Sequence, residues 1–402
     1  MGNFDGKLDV LVVGGGMISK EVVLPTVFQE QKYGRVGEVS ISSLTGDIIQ
    51  DLKGMFPKFR GYPEPEKYGM TEKYPDMFKD AIRELPENGV VICATPDHLH
   101  TPVIKAAIEI GRHVIVEKPL CLKVNEAHEI IKAADEKGIY VLTDYHKRHD
   151  RSIRAAIYKF TRGHLGEMLH GHAWIEEPTY MALEVFKDWC EKSSPFEYVG
   201  VHYADAYFFI TGLKPKRLVA FGQKKFLPQH GKNAYDAVQA TIEWEDGSVF
   251  FIQTSWVNNP KNSAMTNQGM NLLGTKGEYW ADHKNRNTHF VSDEKGYEDY
   301  NPNFFKQYDS WDFPGEIDNV GYGYDSIVQG INDIRRLTNA TAGMSEQEAL
   351  SVRKSMLKEM EATRGLPKQA LIGVAINNAV RMSADAGGKF VKFDENMNIS
   401  FE

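Results

Sequence analysis

Hydrophobic and polar positions change their period near residue 150 of this 402-residue chain. Before that point, short β-branched runs alternate with segments of helical period, which is typical of βαβ units and a parallel sheet. The predicted strands cover residues 10–13, 39–44, 90–94, 113–116 and 140–143. The first part of the chain is therefore predicted to be a parallel α/β domain.

After residue 150, alternating runs at 238–244 and 248–256 flank Asp246-Gly247, a strong hairpin signal. A second hairpin is predicted from 270–273 and 278–281, and helical patterns return at 325–337 and 368–386. Antiparallel sheet thus replaces parallel sheet. We predict two domains, a dinucleotide-binding domain at 1–147 and an α+β substrate-binding and oligomerisation domain at 148–402. Segment 297–324 is predicted to be irregular and to cover a pocket.

Composition narrows the class of protein. The formal charge of −8 argues against nucleic acid as a partner, and no basic run interleaved with aromatics offsets it. Cys93, Cys121 and Cys190 show no metal-binding spacing, so reduced interior thiols are expected. The first strand begins too early for a signal peptide, and no apolar run reaches membrane-spanning length. These features predict a cytoplasmic protein without a membrane partner.

A glycine-rich turn follows the first predicted strand and precedes a helix, the context in which such a motif indicates a dinucleotide. Its glycines would let the backbone approach a pyrophosphate at the helix N-terminus. Pro25, inside that helix, predicts a kink. The predicted contacts in this turn are Gly14, Gly16, Met17 and Ile18, with Ser19 in the third glycine's place.

The second strand ends in Ser42-Ser43-Leu44-Thr45, where an acid that binds the ribose is usually found, and Asp47 lies slightly beyond. Ser43 and Thr45 are predicted cofactor contacts. NAD and NADP both remain open from these residues, with NAD the preferred prediction.

Two further strand ends carry chemistry. A Thr95-Pro96 turn with His100 beyond it follows the third main strand, and the fourth runs into Glu117-Lys118-Pro119. Ligands bind at the carboxyl ends of parallel strands in this architecture. We therefore predict that these side chains, Thr95, Pro96, His100, Glu117 and Lys118, contact the cofactor.

The ordered set of motifs resembles the Gfo/Idh/MocA oxidoreductases, a family that includes glucose-fructose oxidoreductase and inositol dehydrogenase. The match covers nearly the whole chain: the glycine turn, the Thr95-Pro96 loop, Glu117-Lys118-Pro119, and the segments 145–148, 200–205 and 274–278. The resemblance implies a Rossmann domain, an open and mainly antiparallel second sheet, a tightly bound nicotinamide cofactor, and a sugar or polyol substrate. It also implies a homodimer or homotetramer formed through the open sheet.

The resemblance further implies that Lys118 contacts both nicotinamide ribose and substrate, and that His202 reaches the reacting hydroxyl. Oxidising a secondary alcohol needs a base for the hydroxyl proton, and a neutral imidazole, which titrates near pH ~6.5, can accept it. A fixed ammonium at Lys118 can stabilise the developing alkoxide. Both residues are predicted to be catalytic; a satisfied core histidine and a surface lysine are the alternatives.

Tyr198 marks a departure from the family, whose members commonly carry aspartate four residues before the histidine. Its phenol is predicted to bind substrate or relay a proton, with a packed aromatic as the equal alternative. Asp205 either orients the imidazole or has a structural role.

His146 and Arg148 follow the strand at 140–143 and are predicted to bind sugar hydroxyls, although Arg148 is equally well explained as an ion-pair partner. No metal is predicted: His164, His170 and His172 lack the carboxylate or cysteine that would complete a site. Trp174, Trp189 and Trp256 are candidates for a sugar-stacking platform or for the core.

Three functions stay open from the sequence. The first is a nicotinamide-dependent dehydrogenase or reductase acting on a sugar, glycoside or cyclic polyol. The second is a glycoside-cleaving enzyme that oxidises the sugar transiently with retained NAD. The third is a non-catalytic regulator that senses a dinucleotide or sugar; intact Lys118 and His202 argue against it.

Overall fold

The computed structural model describes residues 6–402, which fall into two compact units. The first contains residues up to His146 together with Phe304–Leu371, and the second contains Lys147–Asn303 and Ile372–Glu402. The division therefore differs from the predicted one at residues 304–371, which cluster with the first unit. The physical reason is an amphipathic helix, described below, whose apolar face packs on the first sheet.

The first unit is built on a parallel sheet of six strands in the order β3-β2-β1-β4-β5-β6. The central strands, at residues 8–13, 89–93 and 113–117, are nearly continuous apolar runs, as expected when both faces of a sheet are covered. The strands of the sheet are β1 (Leu8–Val13), β2 (Val36–Ser42), β3 (Arg60–Tyr62), β4 (Gly89–Cys93), β5 (His113–Glu117) and β6 (Val141–Asp144). The predicted parallel α/β domain is confirmed.

The helices that connect these strands are α1 (Leu24–Lys32), α2 (Gly46–Met55), α3 (Met77–Arg83), α4 (His100–Glu109) and α5 (Val124–Lys137). A wide π-helical segment, Ser19–Val23, leads into α1 just before Pro25. Because proline has no N–H, it cannot continue the i→i−4 ladder, and the irregularity falls where the sequence predicts a kink. Gly138 ends α5 in the left-handed conformation.

The second unit carries an eight-stranded sheet in the order β12-β11-β7-β10-β9-β8-β17-β18. Only β7 and β10 pair in parallel; the other neighbours are antiparallel. Its strands are β7 (Met168–Pro178), β8 (Pro215–Gln223), β9 (Ala237–Trp244), β10 (Val249–Asn258), β11 (Asn267–Gly274), β12 (Glu278–Asp282), β17 (Val391–Phe393) and β18 (Ile399–Phe401). Both predicted hairpins, β9–β10 and β11–β12, are confirmed.

Helices α6 (Arg151–Thr161) and α7 (Val201–Thr211) belong to this second unit, as does the small sheet of β13 (His289–Ser292) and β14 (Gly296–Asp299). The division between the units falls within α10 (Pro367–Asp385). The segment predicted to be irregular, 297–324, contains one further hairpin of β15 (Lys306–Asp309) and β16 (Ile317–Val320). The prediction that segment 297–324 is irregular is therefore wrong for the residues of this hairpin.

Helix α8 (Tyr322–Thr341) covers one face of the first sheet and is followed by α9 (Glu346–Met360). Its apolar stripe, Ile327, Ile331, Ile334 and Leu337, joins the core formed by the sheet. At Gly330 an added Cβ would lie 2.6 Å from Ile115 and 3.0 Å from Leu142, so the helix approaches β5 and β6 closely there. A chain segment from beyond residue 300 therefore completes the first core.

Candidate functional site

The glycine turn after β1 is shaped for close backbone approach. Gly14 has φ of +117°, and a Cβ there would lie 2.2 Å from the Ala94 carbonyl oxygen, so only glycine fits. Its N–H donates to Ser42 O at 2.8 Å. At Gly16, by contrast, an added Cβ would have nothing within 4 Å. The backbone thus leaves open space at the start of a helix, which fits the diphosphate of a dinucleotide.

At the end of β2, Thr45 precedes the first residue of α2 and its hydroxyl donates to Asp47 Oδ1. The Ile48 N–H donates to the same oxygen at 2.8 Å. These hydrogen bonds, from Thr45 first and then Ile48, lower the pKa of Asp47. An ionised carboxylate therefore follows Ser43 and Thr45, five residues beyond Ser42, the last residue of β2.

His100 ties two strand ends together. Its Nδ1 lies 2.7 Å from Pro119 O and its Nε2 lies 3.0 Å from Thr95 O. The ring is fully buried, and burial lowers its pKa. The contacts in the structure give His100 a positioning role for the Thr95-Pro96 loop and the Lys118-Pro119 turn; contacts of His100, Thr95 and Pro96 with cofactor stay predictions.

Glu117 and Lys118 lie at the end of β5, where Glu117 pairs in register with Asp144 of β6. Lys118 is 8 % exposed and Asp144 is 3 % exposed. Burial raises the pKa of Asp144 to about 7. Burial first, and then repulsion from Asp144, raise the pKa of Glu117 well above its usual range, against the opposing effect of Lys118. Two carboxyl groups and one ammonium are therefore concentrated at one strand edge.

Sequence analysis missed Asp144, although a signal was present. It directly follows the predicted strand 140–143, and the ends of neighbouring parallel strands meet at one sheet edge. His146, one short turn further on, stacks on Tyr322 at 5.6 Å and lies 5.2 Å from the Phe304 ring, all within the first unit. Its predicted substrate contact stays a prediction.

In the second unit, His202 is the second residue of α7 and is 4 % exposed. Tyr198 lies in the π-helical segment Phe196–Gly200 just before it. The Tyr198 ring packs against Phe186 at 4.6 Å and Trp189 at 5.2 Å. The packed-aromatic alternative for Tyr198 is therefore present, and a chemical role for its hydroxyl stays a prediction.

Arg148 and Asp205 form a buried bidentate ion pair. Arg148 Nε donates to Asp205 Oδ2 at 2.8 Å and Nη2 donates to Oδ1 at 2.6 Å. Burial raises the pKa of Asp205, and the guanidinium opposes that rise. Arg148 is thus an ion-pair partner, one of the two roles that the sequence left open for it. Asp205 has the structural role of holding that guanidinium. A substrate contact of Arg148 stays a prediction.

A buried polar network beside this pair was not foreseen from the sequence. Lys147 Nζ donates to Gln268 Oε1 at 2.5 Å and lies 4.8 Å from the centre of the Tyr203 ring. The Tyr203 hydroxyl lies 2.8 Å from His283 Nδ1. Burial lowers the pKa of Lys147 to about 7 and that of His283 well below its usual value. Lys147 and His283 are 136 residues apart in the sequence, so no spacing signal predicts such a network.

The tryptophans predicted as a platform separate into two groups. Trp189 and Trp256 join the Tyr198 cluster, and the Trp256 indole donates to Glu177 Oε2 at 3.0 Å. Trp174 packs beside His172 at 5.3 Å and Trp280 at 6.0 Å on a different part of the unit. The three side chains therefore do not form one platform.

Within residues 6–402, His, Cys, Asp and Glu side chains nowhere form a group of three or more suited to a metal ion. Over the same range, no helix combines the length and apolar character needed to cross a bilayer.

The first sheet and its glycine turn define the class: a nucleotide-binding oxidoreductase fold with a second, mainly antiparallel domain. The chain belongs to the GFO/IDH/MocA family. Residues 8–145 match its oxidoreductase family domain with the NAD-binding Rossmann fold, and residues 153–280 match its C-terminal domain.

Similar proteins include a glycosyl hydrolase family 109 protein of Shewanella pealeana, 23 % identical over 49 % of this chain and 47 % of that protein. The D-glucoside 3-dehydrogenase of Escherichia coli is 25 % identical over 50 % of this chain and 61 % of that protein. The chain thus matches about half of each relative's length. An inositol dehydrogenase homologue of Azotobacter vinelandii, solved with NADH and myo-inositol, has a TM-score of 0.69 and 19 % identity, covering 97 % of this chain and 98 % of that one.

Proposed function

We propose that this protein transfers hydride between a nicotinamide dinucleotide and a secondary hydroxyl or ketone of a sugar, glycoside or cyclic polyol. The observation that carries the proposal is the buried Lys118 beside Glu117, at a strand end of the sheet that also bears the open glycine turn. The named activities of the relatives support the substrate class.

The chain's own residues divide the chemistry as follows. Gly14 forms the tight turn, and the backbone N–H groups of Gly16, Met17 and Ile18 would hold the diphosphate. When bound, the nicotinamide supplies hydride acceptance or donation. Lys118 stabilises negative charge on the substrate oxygen, since a fixed ammonium in a buried site acts without solvent reorganisation. His202 takes or returns the hydroxyl proton.

NAD is the proposed cofactor. A 2′-phosphate needs cations near the end of β2, and residues 42–47 contain none. They contain Asp47 instead, whose low pKa keeps it ionised. An ionised carboxylate repels a phosphate and suits a ribose hydroxyl. Affinities for NAD⁺ and NADP⁺, measured in parallel on wild type and Asp47→Ser, test this assignment: the variant should lose its preference for NAD⁺.

The function itself is tested in two steps. Denaturing the purified protein and analysing the supernatant identifies any dinucleotide that it carries. A panel of sugars, glycosides and inositols is then screened for cofactor reduction by absorbance. Cofactor reduction with one compound class, lowered by about 10²-fold or more in Lys118→Ala and in His202→Ala, supports the proposal. Full activity in the double variant would contradict the mechanism, and dinucleotide binding without turnover across the panel would favour the regulator.

A second function has support from the family 109 glycosyl hydrolase relative. A ketone formed transiently on a sugar acidifies the neighbouring C–H, so that the aglycone can leave by elimination before water adds and hydride returns. Product analysis separates the two functions. Free aglycone without net cofactor reduction indicates glycoside cleavage, whereas cofactor reduction in proportion to a keto product indicates a dehydrogenase.

Homodimer or homotetramer formation is also a proposal. Its support is a row of aromatic side chains on the second sheet, Trp280, Trp174, His172 and Phe251, in which Trp280 is 69 % exposed. Sedimentation of wild type and Trp280→Ser tests it, with a smaller species expected for the variant. A cytoplasmic location is proposed from the three buried free thiols.

A further inference from the structure

Glu117 and Asp144 lie on the sheet face that α8 covers. Residues two apart along a strand share a face, so Glu117 lies on the same face as Ile115, and Asp144 on the same face as Leu142. Ile115 and Leu142 pair in register and both meet α8 at Gly330. In-register side chains on neighbouring strands are about 5 Å apart. The two carboxyl groups are therefore neighbours under one helix.

The site disfavours two negative charges. Asp144 Oδ1 is buried and accepts no hydrogen bond within the described part of the chain, and Asp144 as a whole is 3 % exposed. A buried, unsatisfied carboxylate oxygen is costly, and a second carboxylate beside it adds repulsion. Such a pair retains one shared proton, and the pKa for its loss is a property of the pair rather than of either carboxyl group.

The polar and titratable groups around the pair come from β5, from β4 and the loop after it, from α4 and from α8. Lys118 on the β5 side favours ionisation of Glu117, while Asp97, from the loop after β4, opposes it. Cys93 at the end of β4 and His100 at the start of α4 also lie within electrostatic range of this cluster. Ser326 of α8 also lies near Asp144 and opposes the rise in its pKa. One ammonium thus faces three carboxyl groups.

We infer that Glu117 and Asp144 form a proton-sharing carboxyl pair that couples protonation of the site to the oxidation state of the bound nicotinamide. This inference rests on the proposed function, because it requires the dinucleotide to bind at this strand edge. An oxidised nicotinamide ring carries a positive charge and favours the ionised pair, so the shared proton leaves when NAD⁺ binds. A reduced ring is neutral, and the proton stays when NADH binds.

The coupling has a measurable direction. Because NAD⁺ binding releases a proton and NADH binding does not, the preference for NAD⁺ over NADH rises with pH, by at most about tenfold per pH unit for one proton. Burial raises the pKa of Asp144 to about 7, so the pair is partly protonated at pH 7 and NAD⁺ binding releases a fraction of a proton per site.

Isothermal titration calorimetry in two buffers of different protonation enthalpy counts these protons. We expect NAD⁺ to release protons from wild type at pH 7 and NADH to release none. Asp144→Asn should abolish the release while retaining dinucleotide binding. Asp51→Asn, an exposed change on α2, is the matched control and should behave as wild type. If Asp144→Asn does not fold, Glu117→Gln should give the same loss.

Equal proton release with both nucleotides, or release that persists in the variants, would overturn the pair while leaving the proposed function intact. Absence of any dinucleotide binding would overturn both. For protein that retains its nucleotide, infrared difference spectra before and after borohydride reduction serve the same purpose. A protonated-carboxyl band in the reduced form that is weaker in the oxidised form supports the pair, and an unchanged band contradicts it.

Discussion

Two clusters of buried charge, one in each unit, are built in opposite ways. In the second unit, Asp205 receives a bidentate guanidinium from Arg148, and Asp150 is paired with Arg286. In the first, Glu117 and Asp144 are placed side by side and burial raises the pKa of both. A buried charge with its own counter-ion stabilises one conformation, whereas a buried like-charge pair responds to whatever cation arrives. The comparison separates a structural cluster from a ligand-responsive one.

Removing the single ammonium of the first cluster should have the largest effect. Lys118→Ala is expected to lower kcat by about 10²–10³-fold, the usual result of removing a group that stabilises an oxyanion. Dinucleotide binding, measured by fluorescence, should survive, since the glycine turn is untouched. Lys132→Ala, an exposed lysine on α5, is the control and should leave kcat unchanged. A Lys118 variant with wild-type kcat would place the chemistry elsewhere.

Breaking the ion pair of the second cluster should chiefly affect stability. Asp205→Asn leaves the Arg148 guanidinium buried without its charge partner, and such changes cost about 3–5 kcal/mol. Urea denaturation measures the free energy of unfolding. The exposed pair Asp80–Arg83 supplies the control, because Asp80→Asn should cost less than about 1 kcal/mol. A similar small loss for Asp205→Asn would mean that the buried pair contributes no more than a surface pair.

The fold was largely predictable because each local pattern agrees with the final structure. The apolar runs of β1, β4 and β5, the glycine turn after β1 and the Asp246-Gly247 hairpin all depend on neighbouring residues only. The assignment of 304–371 was not predictable in the same way. An amphipathic helix shows from its sequence that it needs an apolar surface, but not which of two sheets supplies it.

For the site, prediction was limited by long-range pairing. Glu117 and Lys118 could be found from their position at a strand end, as could the loop that His100 joins. The hydrogen-bond and ion-pair partners of the site residues could not be found from the sequence. Arg148 and Asp205 are 57 residues apart, and Lys147 and Gln268 are 121 apart. Hydrogen bonds over such separations depend on tertiary packing, for which a single sequence has no periodic signal.

The pH dependence of stability should carry a signature of each cluster. Asp144 has an ordinary pKa of 3.8 and a folded pKa of about 7, so the folded state binds more protons between these values. Its stabilising contribution is therefore complete below pH ~4 and is lost as pH rises to about 7. Urea midpoints between pH 4.5 and 7.5 should decline less in Asp144→Asn than in wild type. A parallel decline would contradict the raised pKa.

Lys147 should change stability with pH in the opposite direction, and over the next higher pH range. Its folded pKa of about 7 lies below the ordinary 10.5, so the unfolded state binds more protons between these values and stability rises with pH there. Lys147→Met should flatten that rise. If Asp144→Asn and Lys147→Met changed the stability over the same pH range, the two clusters would not titrate independently.

The smallest effect is expected at Tyr198, whose ring packs against Phe186 and Trp189. Tyr198→Phe keeps the ring and removes the hydroxyl, and kcat/KM is expected to stay within about threefold of wild type, well below the 10²-fold typical of a lost proton-transfer group. Tyr198→Ala should instead lower the free energy of unfolding by about 3 kcal/mol through lost packing. A loss of about 10²-fold in kcat/KM for Tyr198→Phe would instead support a proton-relay role for the Tyr198 hydroxyl.

The position of α8 on the first sheet has a consequence for how the protein is made. The core side chains Ile115 and Leu142 are synthesised long before the helix that covers them, which extends from Tyr322 to Thr341. A nascent chain that has emerged only to residue 146 exposes that apolar face, and the sheet of the second unit is translated in between. The nucleotide-binding half therefore becomes whole only late in translation, and an N-terminal fragment ending there should require a chaperone to remain dispersed.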